Sequence, residues 1–218
     1  MHPVSSATLA TIHRLLKRYF HRTLSPVARF MEVRTFDPYR VLVATILSAR
    51  TKDETTTLAA DRLFTRAPTL SGLGKLPLKT LERLIFPVGF YRTKARMLKK
   101  LPATVQELYG GIIPRTVEEL VKLPGVGRKT ANLVVTEAFD QHGICVDVHV
   151  HRISNRLGLL KTRTPEQTET ELRRLLPKRY WKTWNRHLVA FGQTLCRPRH
   201  PRCAECPIYD CCARSGVT

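Results

Sequence analysis

The sequence predicts an all-α fold. Three observations carry that expectation. Apolar residues recur at helical spacing along nearly the whole chain, N-capping residues stand before the apolar runs, and no stretch alternates polar with apolar at period two. There is no internal repeat at solenoid periods. At 218 residues the chain can bury one compact core or form two small lobes sharing a cleft.

Taken in order, Ala10, Ile12, Leu15, Leu16, Tyr19 and Phe20 give the apolar stripe of a first helix. Asp37 and Pro38 supply the cap and first-turn proline of a second, with Val41, Leu42, Thr45, Ile46 and Leu47 on its inner face. Asp53 is expected to cap a third, which turns Leu58, Ala59, Leu63 and the stem of Arg62 inward. Further helices are expected from Leu78 to Phe86, from Arg92 to Tyr109 with a kink at Pro102, and from Val117 to Leu123. Thr116 with Glu119 and Thr164 with Gln167 have capping-box spacing, and Pro165 opens the latter helix.

Charge narrows the partner. Lys and Arg number 37 against 17 Asp and Glu, a formal net charge of +20 with a pI near 10.4. That excess is far beyond what solubility needs and points to a polyanion, because phosphates bound by Lys and Arg release their condensed counterions. No apolar run is long enough to span a membrane, and no signal-peptide core opens the chain, so an intracellular protein without membrane contact is expected. Arg14, Lys17, Arg18, Arg22 and Arg29 precede the first acidic residue, Glu32, as in a mitochondrial leader. The apolar stripe through them favours a folded helix instead. A cytoplasmic, nucleoid-associated location is expected in a bacterium; nucleus and mitochondrion stay open.

Of six cysteines, five lie between Cys196 and Cys212, and Cys145 stands apart as a buried core thiol. Inside a cell such a cluster reads as metal ligation rather than as a disulfide framework. Cys196, Cys203, Cys206 and Cys212 form a C-x6-C-x2-C-x5-C pattern, with Cys211 competing for the fourth place. Four thiolates can close a zinc site or hold an iron-sulfur cluster, but zinc ribbons use two C-x2-C knuckles and this segment has one. Arg197, Arg199, His200 and Arg202 make the same loop basic.

Two further motifs carry chemistry. In Leu123-Pro124-Gly125-Val126-Gly127-Arg128-Lys129 the glycines permit a tight hairpin, and the helix start after it can face a phosphate: a helix-hairpin-helix backbone clamp. In Val146-Asp147-Val148-His149-Val150-His151-Arg152 the aspartate precedes Val150, Ile153 and Leu157 at helical spacing. It is therefore an N-cap, and a carboxylate fixed there can also stabilise a cation. Taken alone, Lys129 reads equally well as a phosphate ligand. Trp181 and Trp184 read as core aromatics, and His151 as a surface or packing residue.

The hairpin, the V-D-x-H-V-x-R segment at its fixed interval, Leu47-Ser48-Ala49-Arg50-Thr51-Lys52-Asp53, Val88-Gly89-Phe90-Tyr91-Arg92-Thr93-Lys94 and the cysteine tail together resemble the endonuclease III family of DNA glycosylases. Pro87-Val88-Gly89-Phe90 and Gly192-Gln193 are similar to its eukaryotic-like branch.

The resemblance implies a helical-barrel lobe over residues 30–141 that contains the hairpin. A second lobe, from residues 1–29 and 142–218, carries the cluster loop, and DNA lies in a cleft between Lys129 and Asp147. It implies Lys129 as Schiff-base nucleophile, helped to lose its proton by Arg128 and the helix start, and Asp147 as the essential carboxylate. Strand cleavage follows by β-elimination. Cys196, Cys203, Cys206 and Cys212 hold one [4Fe-4S] cluster, and Cys211 is a spare thiol.

Gly125, Val126, Gly127, Arg128, Arg50, Phe90, His149, Arg199 and Arg202 are the expected DNA contacts. The expected partner of this monomer is double-stranded DNA with an oxidised pyrimidine or an abasic site. Arg50 departs from the family, which has glutamine there; it is expected to fill the gap left by the extruded nucleotide and to favour an orphan guanine, with Phe90 as the opposite wedge. The alternatives are a monofunctional mismatch glycosylase, whose relatives lack a lysine at this position, and a non-catalytic hairpin protein with a zinc-stabilised tail.

Overall fold

The computed structural model describes residues 5–23 and 37–217. Arg29, Glu32 and the expected lobe boundary between residues 29 and 30 lie outside them. Among the described residues the regular structure is helical, with no strand. The chain divides into two compact units, Val33–Gln141 and Met1–Glu32 with His142–Thr218, called here the hairpin unit and the cysteine unit.

In the cysteine unit, α1 (Ser6–Arg22) turns Leu9, Ile12 and Leu16 inward and packs on the last long helix. In the hairpin unit, Asp37 caps α2 (Pro38–Ser48) by accepting from the Tyr39 amide at 2.9 Å. The expected one-sided apolar face is too narrow a description of α2. Val43 and Ala44 are buried as well, because α2 packs against three others, α3 (Asp53–Arg66), α6 (Tyr91–Tyr109) and α8 (Arg128–Phe139).

Two expectations for α3 are corrected. Lys52 occupies the cap position without a side-chain bond, so Asp53 and Glu54 lie in the first turn, where they complement the helix dipole. Leu58 is 62% exposed; Thr56, Ala59, Ala60 and Leu63 are the inward residues. Arg62 points along the surface, where its guanidinium donates to the carbonyls of Leu84 (2.9 Å) and Phe86. It thereby satisfies backbone acceptors at the end of α5 (Leu78–Ile85), which follows the short α4 (Leu70–Lys75).

Helix α6 runs through Pro102 and stops at Gly110, whose φ of +61° lets the amides of Gly110 and Gly111 return to the carbonyls of Gln106 and Val105, both at 3.1 Å. Thr116 then opens α7 (Val117–Leu120), which is shorter than the expected helix because residues 121–123 already turn toward the hairpin.

The cysteine unit continues with α9 (Val148–Arg156), α10 (Pro165–Leu175) and α11 (Lys178–Thr194). α11 is its spine, packed by α1 and α9 around Ile12, Leu16, Trp184, Leu188 and Phe191. Trp181 and Trp184 are both buried, and the Trp181 indole donates to the Leu176 carbonyl at 2.9 Å. The tail has two single 3-10 turns, Cys203–Glu205 and Tyr209–Cys211. It is tied to the end of α9 by the amides of Ala213 and Ser215, which donate to the carbonyls of Leu157 (3.3 Å) and Arg156 (3.1 Å). Among the described residues no helix is long and apolar enough to cross a membrane.

Candidate active-site hairpin and cysteine loop

In the hairpin unit the turn after α7 is anchored by Leu123 and Val126, both buried, with the Val126 amide donating to the Leu123 carbonyl at 3.2 Å. Gly125 sits between them at φ +79°, with Met97 and Ile46 packed where a side chain would begin. Conformation and packing both require glycine there. Gly127, at φ −90°, faces open space and caps α8 without a side-chain bond. Arg128 and Lys129 follow in the first turn, both exposed. The hairpin thus presents a helix start, two cations and no competing carboxylate cap.

The second strong motif, in the cysteine unit, is built differently. Asp147 caps α9: its Oδ1 accepts from the amides of His149 and Val150, each at 2.9 Å. The carboxylate is fixed through one oxygen. His149 in turn is fixed through Nδ1, 3.2 Å from the Arg152 guanidinium, which also donates to the Cys196 carbonyl at 2.9 Å. Gly192 of α11 lies so close to His149 and Arg152 that a Cβ there would collide with the imidazole, which gives the Gly192-Gln193 signature a packing reason. His151 is half-buried and meets the Thr168 hydroxyl at 2.7 Å, a packing role.

Cys196, Cys203, Cys206 and Cys212 line one cavity together with Ile153, Arg156, Leu157, Phe191, Leu195 and Ile208. Cys211 is not in its lining. Burial pushes the Cys206 thiol up to about 11 and the Cys212 thiol in the same direction, and Cys196 and Cys203 add to both shifts. Sequence reasoning missed Arg156. It is buried, and its guanidinium donates to the carbonyls of Arg197 (2.6 Å) and Pro198 (2.8 Å) while lying 3.6 Å from the Cys196 sulfur. Its signal was its spacing, since it stands three residues after the inward Ile153.

Of the basic residues on the loop, Arg199 is exposed. Arg202 is exposed too, but it donates to the Thr194 carbonyl at 3.0 Å and pairs with Glu205 at 3.1 Å, which leaves less of its fork for another anion.

Arg50 and Phe90, both in the hairpin unit, are exposed and brought together, with the guanidinium 5.6 Å from the ring centroid. Each holds a left-handed backbone, φ 53° and 56°. Behind them lies a residue that sequence reasoning quoted without a role. Lys94 is 6% exposed, and burial lowers its ammonium to about 8.

A model of the HhH-GPD superfamily of base excision DNA repair proteins matches residues 43–178, ending before the first tail cysteine. Endonuclease III of Thermotoga maritima is 48% identical over 176 residues, which is 81% of this chain and 83% of that protein. Endonuclease III-like protein 1 of Gallus gallus is 47% identical over 177 residues, 80% of this chain and 63% of that longer protein. Among solved structures, a trapped endonuclease III–DNA covalent intermediate with an estranged adenine superposes with a TM-score of 0.85 at 33% identity, covering 97% of each chain. A thermostable thymine-DNA glycosylase superposes with a TM-score of 0.75 at 25% identity, covering 94% of this chain and 98% of that one.

Proposed function

The chain belongs to the HhH-GPD superfamily of base excision DNA repair proteins and, within it, to the endonuclease III family, and from that premise we propose that it removes oxidised pyrimidines from duplex DNA and nicks the strand through Lys129. The protein is a DNA glycosylase with lyase activity. The nucleophile is the Lys129 amine at the start of α8. It attacks C1′ of the damaged nucleotide, the C1′–N bond breaks, and the base leaves with the electron pair and takes up a proton. The sugar ring opens to a Schiff base. Loss of a C2′ proton then expels the 3′-phosphate by β-elimination, and water releases the lysine.

Asp147 supplies a fixed negative charge for the cationic sugar of that first step. Its two backbone bonds hold the carboxylate in place without neutralising it. The uncapped start of α8 and Arg128 serve the phosphates beside the lesion. Arg50 and Phe90 enter the duplex where the nucleotide leaves it, Arg50 favouring an opposite guanine, whose acceptor atoms suit a guanidinium. His149 and Arg199 add contacts to the strand.

Cys196, Cys203, Cys206 and Cys212 fit one [4Fe-4S] cluster. A zinc ion draws each thiolate to about 2.3 Å. These four cysteines line one cavity and contain a single C-x2-C knuckle, which suits a polynuclear cluster better than the two-knuckle zinc ribbon. When bound, the cluster supplies cross-linking of the tail rather than a reacting group.

The observation that carries the proposal is Lys129 in the first turn of an uncapped, glycine-led helix. Borohydride reduction during turnover of an abasic duplex tests it. The wild type should be trapped covalently, and Lys129→Gln should bind the duplex without trapping. Release of an oxidised pyrimidine from a lesion duplex, with no adduct trapped on either the lesion or the abasic duplex, would instead assign the monofunctional class.

A further inference from the structure

Left-handed backbone at a non-glycine residue persists only where the surroundings over-determine it. Arg50 and Phe90 both have it, and both are exposed, so their own side-chain packing is not the cause. The cause lies beneath them. Lys94, in the first turn of α6, sends its ammonium to the Leu47 carbonyl at 2.8 Å, the Ala49 carbonyl at 2.6 Å and the Thr51 hydroxyl at 3.2 Å, which accounts for all three of its protons.

The Thr51 hydroxyl also accepts from the Gly89 amide at 3.1 Å and donates to the Ala49 carbonyl at 3.3 Å, so its hydrogen-bonding capacity is filled too. Gly89 lies so near that a Cβ on it would stand 2.5 Å from the Arg50 carbonyl oxygen. The turn after α2 and the turn before α6 are thus joined by one buried cation, one hydroxyl and one close backbone contact.

We propose that Lys94, acting through Thr51, is a positioning residue that fuses these two turns into one rigid platform and presents Arg50 and Phe90 to the duplex as a preassembled pair. The inference rests on the reading of Arg50 and Phe90 as residues that enter the duplex. A buried ammonium is costly unless every proton finds an acceptor. Here the acceptors are the two carbonyls flanking Ser48 and the hydroxyl after Arg50, so the charge orders the backbone that carries the arginine. Ordering it beforehand removes a conformational cost from the moment of insertion.

The test compares cleavage of an abasic site in a duplex with cleavage of the same site in a single strand, which has no opposite base and no gap to fill, alongside thermal unfolding and 2-aminopurine fluorescence from the opposite position. Lys94→Met and Thr51→Val should each slow duplex cleavage about tenfold, as expected for a lost hydrogen bond to a charged group. Both should reduce the 2-aminopurine signal and leave single-strand cleavage within about twofold. Lys94→Arg should behave like Lys94→Met, because a planar fork cannot meet three convergent acceptors.

If Lys94→Met fails to fold, Thr51→Val and Gly89→Ala make the same comparison. Equal losses on duplex and single strand, tracking the loss of melting temperature, would overturn the proposal and leave Lys94 a core residue. An Arg50→Ala/Phe90→Ala double variant that cleaves the duplex at the wild-type rate would instead overturn the duplex-entry reading beneath it.

Discussion

The two helix starts that carry the candidate chemistry are built in opposite ways. α8 begins at Gly127 with no side chain over its amides, and α9 begins at Asp147 with a carboxylate bonded to two of them. A glycine-led start gives up only about a few tenths of a kcal/mol of helix stability and leaves positive backbone ends for a ligand's phosphate. A capped start is stable by itself, and its capping group is available as a fixed charge. The cap residue alone sets what each helix terminus offers: Gly127 puts no side chain over the α8 amides, and Asp147 puts its own carboxylate over those of α9.

Substitutions at the two caps and at the cysteine loop break or sharpen this comparison, beginning with the largest expected effect. On the proposed cluster ligation Cys203→Ser removes one of four ligands, and the brown colour, iron and most of the solubility expected of the wild type should be lost together. Stoichiometric zinc in the anaerobically prepared wild type would contradict the cluster assignment.

Asp147→Asn retains an oxygen for the backbone amides but loses the charge. Single-turnover base removal should fall by about a hundredfold, with affinity for the duplex and melting temperature little changed. Asp147→Ala loses cap and charge, and should add about 1 kcal/mol of destabilisation. Equal activity losses in the two variants, with no difference in stability, would mean that Asp147 does not cap α9 in solution.

Gly127→Asp converts the first kind of start into the second. Nothing lies within 4 Å of a Cβ there, so the side chain can cap α8. Stability should rise by a few tenths of a kcal/mol while duplex affinity falls by about tenfold, because the new carboxylate takes the amides and repels the phosphate. Affinity unchanged by the new cap would show that the α8 start does not meet DNA.

The units also differ in what titrates inside them. The hairpin unit contains no histidine. In the cysteine unit His187 is 2% exposed and burial lowers it to about 3, with His13 lowered for the same reason. Below the ordinary histidine value of 6.5 the unfolded chain takes up protons that the folded unit refuses, so stability falls as pH drops through that range, by at most about 1.4 kcal/mol per pH unit for each histidine. His187→Phe should flatten that slope in denaturant titrations between pH 7 and 5. An unchanged slope would move the acid sensitivity elsewhere.

Several helix starts with local caps were legible in the sequence, although the equally local caps at Ser5 and Thr69 were not read. Asp37-Pro38, Thr116 with Glu119, and Thr164-Pro165 with Gln167 all bond within three residues of the cap, and each opens the helix expected of it. The inner face of α3 was read correctly at Ala59 and Leu63 and wrongly at Leu58, while Thr56 and Ala60 went unread because small residues carry little hydrophobic signal. Lys94 was not legible. Two of its partners are backbone carbonyls 45 and 47 residues away, and a carbonyl leaves no mark in the residue alphabet. The Arg50–Phe90 stack was missed for a related reason, since positive φ at a non-glycine residue is imposed by surroundings rather than by residue type.

The central claim is that the Lys129 amine makes the bond to the sugar. Wild-type protein reduced with borohydride on an abasic duplex, digested and mapped by mass spectrometry, tests it most directly. The sugar fragment should be carried by Lys129 and by no other residue. A fragment on Lys52, on Lys122 or on the chain's amino terminus, with Lys129 unmodified, would contradict it.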